Sequence, residues 1–105
     1  MTKHKVDRVL VLMSLQRAML GEIFPALRVV TVEWSDAVVR FFAYVDGPLS
    51  EEDADSLSCI SAEVAADLWT GVDVQYEVVR ADFPQRIDDD RTRVFHRRER
   101  SEPPS

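Results

Sequence analysis

At 105 residues, 46% hydrophobic and 30% charged, the chain reads as one soluble globular domain with a modest core, which excludes a disordered or membrane-spanning protein. The net charge of −6 is uneven: residues 41–79 hold nine acids and no Lys, Arg or His, and the remainder carries thirteen basic residues against ten acids. Such a field repels nucleic acid and attracts basic partners; the single cysteine, Cys59, excludes an internal disulfide and fits a reducing compartment.

Lys3 and Lys5 before the apolar Val9 to Met13 resemble the start of a secretion signal, but Arg8, Gln16 and Arg17 intrude and no small-x-small cleavage site follows. A cytoplasmic location without membrane contact is therefore expected. Val6 to about Phe24 shows apolar spacings of three and four, with one stripe at Val6, Val9, Leu10, Met13, Leu20 and Phe24 and another at Leu12, Leu15, Met19 and Ile23. This predicts a helix with Asp7, Ser14, Arg17 and Gly21 on its polar side, ended by Pro25. The brief run Val9 to Met13 is also compatible with a short strand.

Leu27 to Val45 is rich in Val, Thr, Trp, Phe and Tyr and is broken only by Ser35-Asp36, which predicts a β-hairpin. A turn at Ser35-Asp36 sets Trp34 opposite Ala37, Val32 opposite Val39 and Val30 opposite Phe41, giving one apolar face. The other face carries Val29, Thr31, Glu33, Val38, Arg40, Phe42 and Tyr44. Asp46-Gly47-Pro48 is a turn, and Ser50 followed by Glu51, Glu52 and Asp53 starts a second helix, because the hydroxyl can accept an orphan N–H and the carboxylates suit the positive end of the dipole. Its apolar stripe is Ala54, Leu57, Ser61, Val64, Ala65 and Leu68 with Ile60 beside it. The helix closes near Trp69, and Gly71 supplies a left-handed residue.

Val72 to Arg80 alternates as a third strand, residues 81–91 form a loop, and Arg91 to Arg98 make a short fourth strand whose arginines suit an edge and pair with Asp73 and Glu77. The expected fold is thus an α+β two-layer sandwich of order α-β-β-α-β-β. A four-stranded, mainly antiparallel sheet carries two helices on one face and leaves the other open. Residues 1–100 form the single domain and 101–105 a disordered tail.

Catalytic chemistry finds little support. His4, His96 and Cys59 lack metal-ligand spacing, and Asp88, Asp89 and Asp90 neither alternate nor adjoin a glycine as a calcium loop requires, so they read as a solvated charge run. Gly21, Gly47 and Gly71 are too dispersed to cradle phosphate. A thiol mechanism would need the fold to bring His96 to Cys59. No catalytic residue, metal or cofactor is expected.

What remains is surface recognition. Phe42 and Tyr44 on the uncovered face, bordered by Asp73, Gln75 and Glu77 if the second and third strands are neighbours, would form an aromatic patch with an acidic rim. Asp46, Glu51, Glu52, Asp53 and Asp55 extend that acidic surface. Alternatively a third layer, a loop or a dimer mate covers Phe42 and Tyr44.

The segments LGEIFPALRVVTVEW, FFAYVDGPLSEEDADSLSCISAEVAADL and YEVVRADFP, spanning most of the chain from Leu20 to Phe95, resemble immunity proteins of bacterial contact-dependent inhibition and other polymorphic toxin systems. The resemblance implies a non-enzymatic protein that binds a cognate toxin domain, often a basic nuclease, and blocks its active site or substrate path with carboxylates as decoys for phosphate. A structural or regulatory homodimer pairing through the open sheet face is the alternative, and direct nucleic-acid binding is not expected.

Overall fold

The computed structural model describes residues 6–68 and 71–99. The elements are α1 (Arg8–Met19), β1 (Leu27–Trp34), β2 (Val38–Val45), α2 (Glu51–Asp67), β3 (Asp73–Arg80) and β4 (Thr92–His96). This is the expected α+β order. The strands lie as β3-β2-β1-β4, with β1 antiparallel to both β2 and β4 and β2 parallel to β3. The sheet is therefore mixed rather than mainly antiparallel. The reason is the connection: α2 is a crossover helix, and a strand returning after such a helix runs parallel to the one it left. The disordered tail expected at 101–105 lies outside the described residues.

Helix α1 is shorter and differently rotated than its apolar spacing suggested. Asp7 caps it by accepting from the Val9 N–H at 3.0 Å, and it stops at Leu20 because Gly21 turns at φ 82°, four residues before Pro25. Val11, Ser14, Leu15, Ala18 and Met19 are buried, whereas Val9, Met13, Leu20 and Ile23 are exposed. Ser14 faces inward because its hydroxyl donates at 2.7 Å to Asp67 of α2, which also pairs with Arg17. The two helices are joined by a polar clasp on faces that hydrophobicity alone assigned to solvent.

The hairpin holds its faces but not its turn. Trp34 pairs with Val39, Val32 with Phe41 and Val30 with Ala43, two residues along from the expected register. The two-residue turns that suit strand twist need φ > 0 at the first central position or at both, and neither Ser35 nor Asp36 adopts it. The loop widens instead, closed by the Ser35 N–H donating to the Val38 carbonyl at 2.8 Å. A slip of two leaves every side chain on its own face, so the core is unaffected.

Helix α2 begins as its sequence demands, with Ser50 accepting from the Asp53 N–H at 3.1 Å and Glu51, Glu52 and Asp53 in the first turn. It closes at Leu68, and Gly71 turns at φ 101°. Leu57, Ile60, Val64 and Leu68 meet Val30, Val32, Val39, Phe41, Ala43 and Val45, together with Val11, Leu15 and Ala18, in one core. Phe41 stacks on Tyr76 of β3 at 5.2 Å between centroids.

Candidate functional site

The second sheet face is open only in part: Thr31 and Phe42 are buried on it, whereas Asp73 and Glu77 stay exposed. The β3–β4 loop, residues 81–91, lies over the buried part and is held by one carboxylate. Asp89 Oδ2 accepts from the Tyr44 hydroxyl at 2.6 Å, the Thr31 hydroxyl at 2.8 Å and the Arg91 guanidinium at 3.1 Å, and Oδ1 accepts from the Arg91 N–H at 2.9 Å. Its side chain is 1% exposed. Burial pushes the Asp89 carboxyl up, but the donors from Tyr44, Arg91 and Thr31 outweigh it and bring the group down to about 2. Burial, followed by the neighbouring Asp89, raises the Tyr44 hydroxyl to about 12.

Phe42 and Tyr44, expected in an exposed aromatic patch, are consequently occupied within the fold. Phe42 is 5% exposed beneath the Arg91 guanidinium, which sits 4.0 Å from the ring centroid and also donates to Glu33 at 2.9 Å. Asp46 is likewise engaged, pairing with Arg97 at 2.9 Å and accepting from the Phe83 N–H at 3.2 Å. The loop supplies the third layer that hydrophobic patterning could only leave as an alternative. Asp89 belongs to a run of three aspartates that looks solvent-directed by composition.

A second anchor ties the start of this loop to the segment after β4. Arg28 occupies an irregularity of β1 between Leu27 and Val29 and is 3% exposed. Its guanidinium donates to Glu99 at 2.6 and 3.0 Å, to the Ala81 carbonyl at 2.7 Å and to the Gln85 carbonyl at 2.8 Å. Arg97 also donates to Glu99, at 3.1 Å, and Arg28 followed by Arg97 holds the Glu99 carboxyl down at about 2. Sequence reasoning passed over Arg28. The signal available was a lone cation inside the apolar run Leu27 to Val30.

The remaining expected site residues fall in two groups, one on β3 and one on α2, to either side of the β3 edge. Asp73, Gln75 and Glu77 do lie beside β2 and on the same face as Phe42, with Glu77 paired to Phe42 and Gln75 to Arg40, to which it is hydrogen-bonded at 2.8 Å. Asp73 accepts from Gln75 at 2.6 Å. Glu51, Glu52 and Asp55 are exposed on α2, with Asp53 half-buried at its first turn. Arg91, Arg93, Arg97 and Arg98 do not reach Asp73 and Glu77, because β4 and β3 are opposite edges of the sheet; Arg91 and Arg97 pair with Glu33, Asp46, Asp89 and Glu99. Among the described residues, no ion pair uses Glu51, Glu52, Asp53, Asp55, Glu63, Asp73 or Glu77.

Cys59 is exposed on α2 while His96 lies on β4 at the far edge, so the fold does not assemble a thiol and an imidazole. An open concavity of about 860 Å³ under the loop is lined by Arg28, Asp89, Arg93, His96 and Glu99, most of whose charged groups are bonded to one another. Among the described residues, no group of three potential metal ligands occurs, and no helix is long and apolar enough to cross a membrane. Compared with known families, residues 8–99 match the one described as MafI2 immunity protein. No curated protein matches the chain.

Proposed function

This chain belongs to the MafI2 immunity protein family, and from that premise we propose that it binds a cognate toxin domain and neutralises it by occupation rather than by catalysis. The contact surface in this reading is the acidic one, built from Glu51, Glu52, Asp53 and Asp55 at the start of α2 and Asp73, Gln75 and Glu77 on β3. The observation that carries it is the division of charge. Arg91 and Arg97 are spent on Glu33, Asp46, Asp89 and Glu99 within the fold, while Glu51, Glu52, Asp53 and Asp55 of α2 and Asp73 and Glu77 of β3 keep no ion-pair partner among the described residues. Uncompensated carboxylates repel one another, and a basic protein surface relieves that repulsion while arriving faster.

A toxin whose own site is basic, as the phosphate-binding face of a nuclease is, would be the natural target, with the carboxylates standing where phosphates would bind. Phe42, Tyr44 and Asp46 contribute indirectly here, by holding the loop that flanks the surface. Action in the cytoplasm of the cell to be protected completes the reading. The covered sheet face leaves pairing of two copies through Phe42 and Tyr44 without its surface.

The test uses the cognate toxin domain in an inactivated form, a basic domain encoded beside this chain being the first candidate. Replacing Glu51, Glu52 and Asp55 together with Lys is expected to slow association about tenfold or more at low salt and to flatten the salt dependence. Reversal at a helix start also costs about 1 kcal/mol per charge through the dipole, so the Gln/Gln/Asn variant is measured beside it and should show a smaller slowing. Association unchanged by both variants would overturn the reading.

A further inference from the structure

We propose that the outer edge of β3 is a strand-addition site, which takes an extended, basic segment of the toxin domain as a fifth strand of the sheet. This rests on the reading above that the acidic surface receives the toxin, and it specifies how the backbone takes part.

The geometry of the edge follows from two hydrogen bonds at its ends. The Asp73 N–H donates to the Ala37 carbonyl and the Ala81 N–H to the Val45 carbonyl, each at 2.8 Å, and the β2–β3 register runs without a shift from Val38 opposite Asp73 to Val45 opposite Arg80. Backbone groups alternate sides along a strand, so the odd-numbered residues between these two point at β2. The N–H and C=O groups of Val74, Tyr76, Val78 and Arg80 therefore point outward, and among the described residues no strand pairs with them.

Native edges of this length are ordinarily blunted by charged side chains, lysine above all, or by proline, a bulge or a covering segment. The eight residues of β3 include no Lys, Pro or register shift, and their single arginine, Arg80, is paired with Asp82 at 3.0 Å. Beside that arginine β3 carries only Asp73 and Glu77 as charges, which repel a like strand and admit a basic one. The opposite edge shows the contrast. β4 has five residues, an irregular register against β1 and an arginine on its outer face.

Charge chooses the occupant. On one side of the β3 edge stand Asp73 and Glu77; on the other runs α2, tied to β3 by the hydroxyls of Ser58 and Tyr76 at 3.0 Å. Glu51 and Asp55 lie seven and three residues before Ser58, on the same helical stripe, so they look along the edge. An incoming strand would sit between two acidic rows. A second copy of β3 would bring Glu77 and Asp73 against their own counterparts, which disfavours self-pairing, whereas a strand bearing Lys or Arg at alternate positions meets opposite charge on both sides.

Proline at position 78 removes an outward N–H while leaving every bond to β2 in place, and it changes no charge. Val78→Pro is expected to weaken binding of the inactivated toxin domain at least 100-fold, chiefly through faster dissociation, with association slowed far less. A measurement on the unaltered protein guards against a folding defect: adding the toxin domain should slow amide exchange at Val74, Tyr76, Val78 and Arg80 at least tenfold. Unchanged exchange at these four amides, or a complex in which Val78→Pro binds as tightly as the parent, would overturn the edge. Slower association of the α2 charge variants alongside either result would leave the acidic-surface reading standing. A salt-insensitive dimer of this chain in sedimentation, with the same amides protected before any toxin is added, would also overturn the proposal in favour of self-pairing.

Discussion

Arg28→Met is expected to lower the unfolding free energy by about 3–5 kcal/mol, the range found when one member of a buried ion pair is removed. Four hydrogen bonds leave with the guanidinium: two to Glu99 and one each to the Ala81 and Gln85 carbonyls. Glu99, only 14% exposed at its side chain, keeps its charge but retains only Arg97 and the more distant His96. The ring of Phe83, 5.6 Å from the guanidinium, loses its cation as well. Arg28→Lys should recover only part of the loss, since one ammonium cannot span a carboxylate and two carbonyls in the planar fork that Arg supplies. Adding Glu99→Gln to Arg28→Met should be less damaging than the sum of the two, because the orphaned anion is removed with its partner. Chemical denaturation checks all three; a loss below about 1 kcal/mol for Arg28→Met would show that the network is incidental.

Asp89→Ala should cost about 2–4 kcal/mol, from charge-assisted bonds worth roughly 1.5–3 kcal/mol each and from two hydroxyls left without an acceptor. The loss has a ceiling. Once the β3–β4 loop detaches, Thr31 and Tyr44 regain water, and the remaining cost is the exposure of Phe42 and the loss of Arg91 from its ring. The distinguishing sign is therefore local: proteolysis at Arg86 or Arg91 and exchange of the loop amides should accelerate more than global unfolding does. Asp89→Asn preserves an acceptor but not the charge, and should fall between the parent and Asp89→Ala. Loop proteolysis at the parental rate in Asp89→Ala would sink this account.

The same carboxylate sets an acid limit. Asp89 and Glu99 both titrate at about 2 in the fold, below their ordinary values of 3.8 and 4.5. A depressed carboxyl pKa stabilises the folded state fully above the unfolded value and ceases to do so as pH falls through the folded one. Stability is thus expected to drop between about pH 4.5 and pH 2, by roughly 2–3.5 kcal/mol per group. The raised Tyr44 hydroxyl works in the opposite direction, stabilising below about pH 10 and lost as pH climbs toward 12. It is the other half of the Asp89 bond, so the two are not added. A thermal melt series at pH 2–5 checks the acid limb, which should be shallower in Asp89→Asn; an identical slope in that variant would contradict the assignment.

The order of elements, the start of α2 at Ser50 and the two faces of the hairpin were legible in the chain, because each depends on residues within a few positions of one another. A hydroxyl next to three carboxylates caps a helix wherever it is placed, and alternation of period two survives even the two-residue slip at Ser35-Asp36. The end of α1 was legible in principle, since Gly21 marks it, but Pro25 is the louder signal. Among the expected binding residues, Asp73, Gln75 and Glu77 lie beside β2 on the face of Phe42, while the acids of α2 stand on the other side of the β3 edge, because α2 packs on the opposite face of the sheet.

Tertiary structure alone decided which charges are free. Asp89 and Asp90 are neighbours in one charge run, yet the Asp89 side chain is sealed between its own loop and the sheet and Asp90 is exposed, and nothing local separates them. Arg28 looks misplaced in an apolar strand until Glu99, more than seventy residues later, closes upon it. Local propensity and periodicity are properties of the chain itself, so the sequence by itself determined the elements and the buried side of most of them. Whether a carboxylate is an internal anchor or a contact for another protein depends on what packs over it, and the burial of Phe42 and the bare edge of β3 became settled only when the sheet took the order β3-β2-β1-β4.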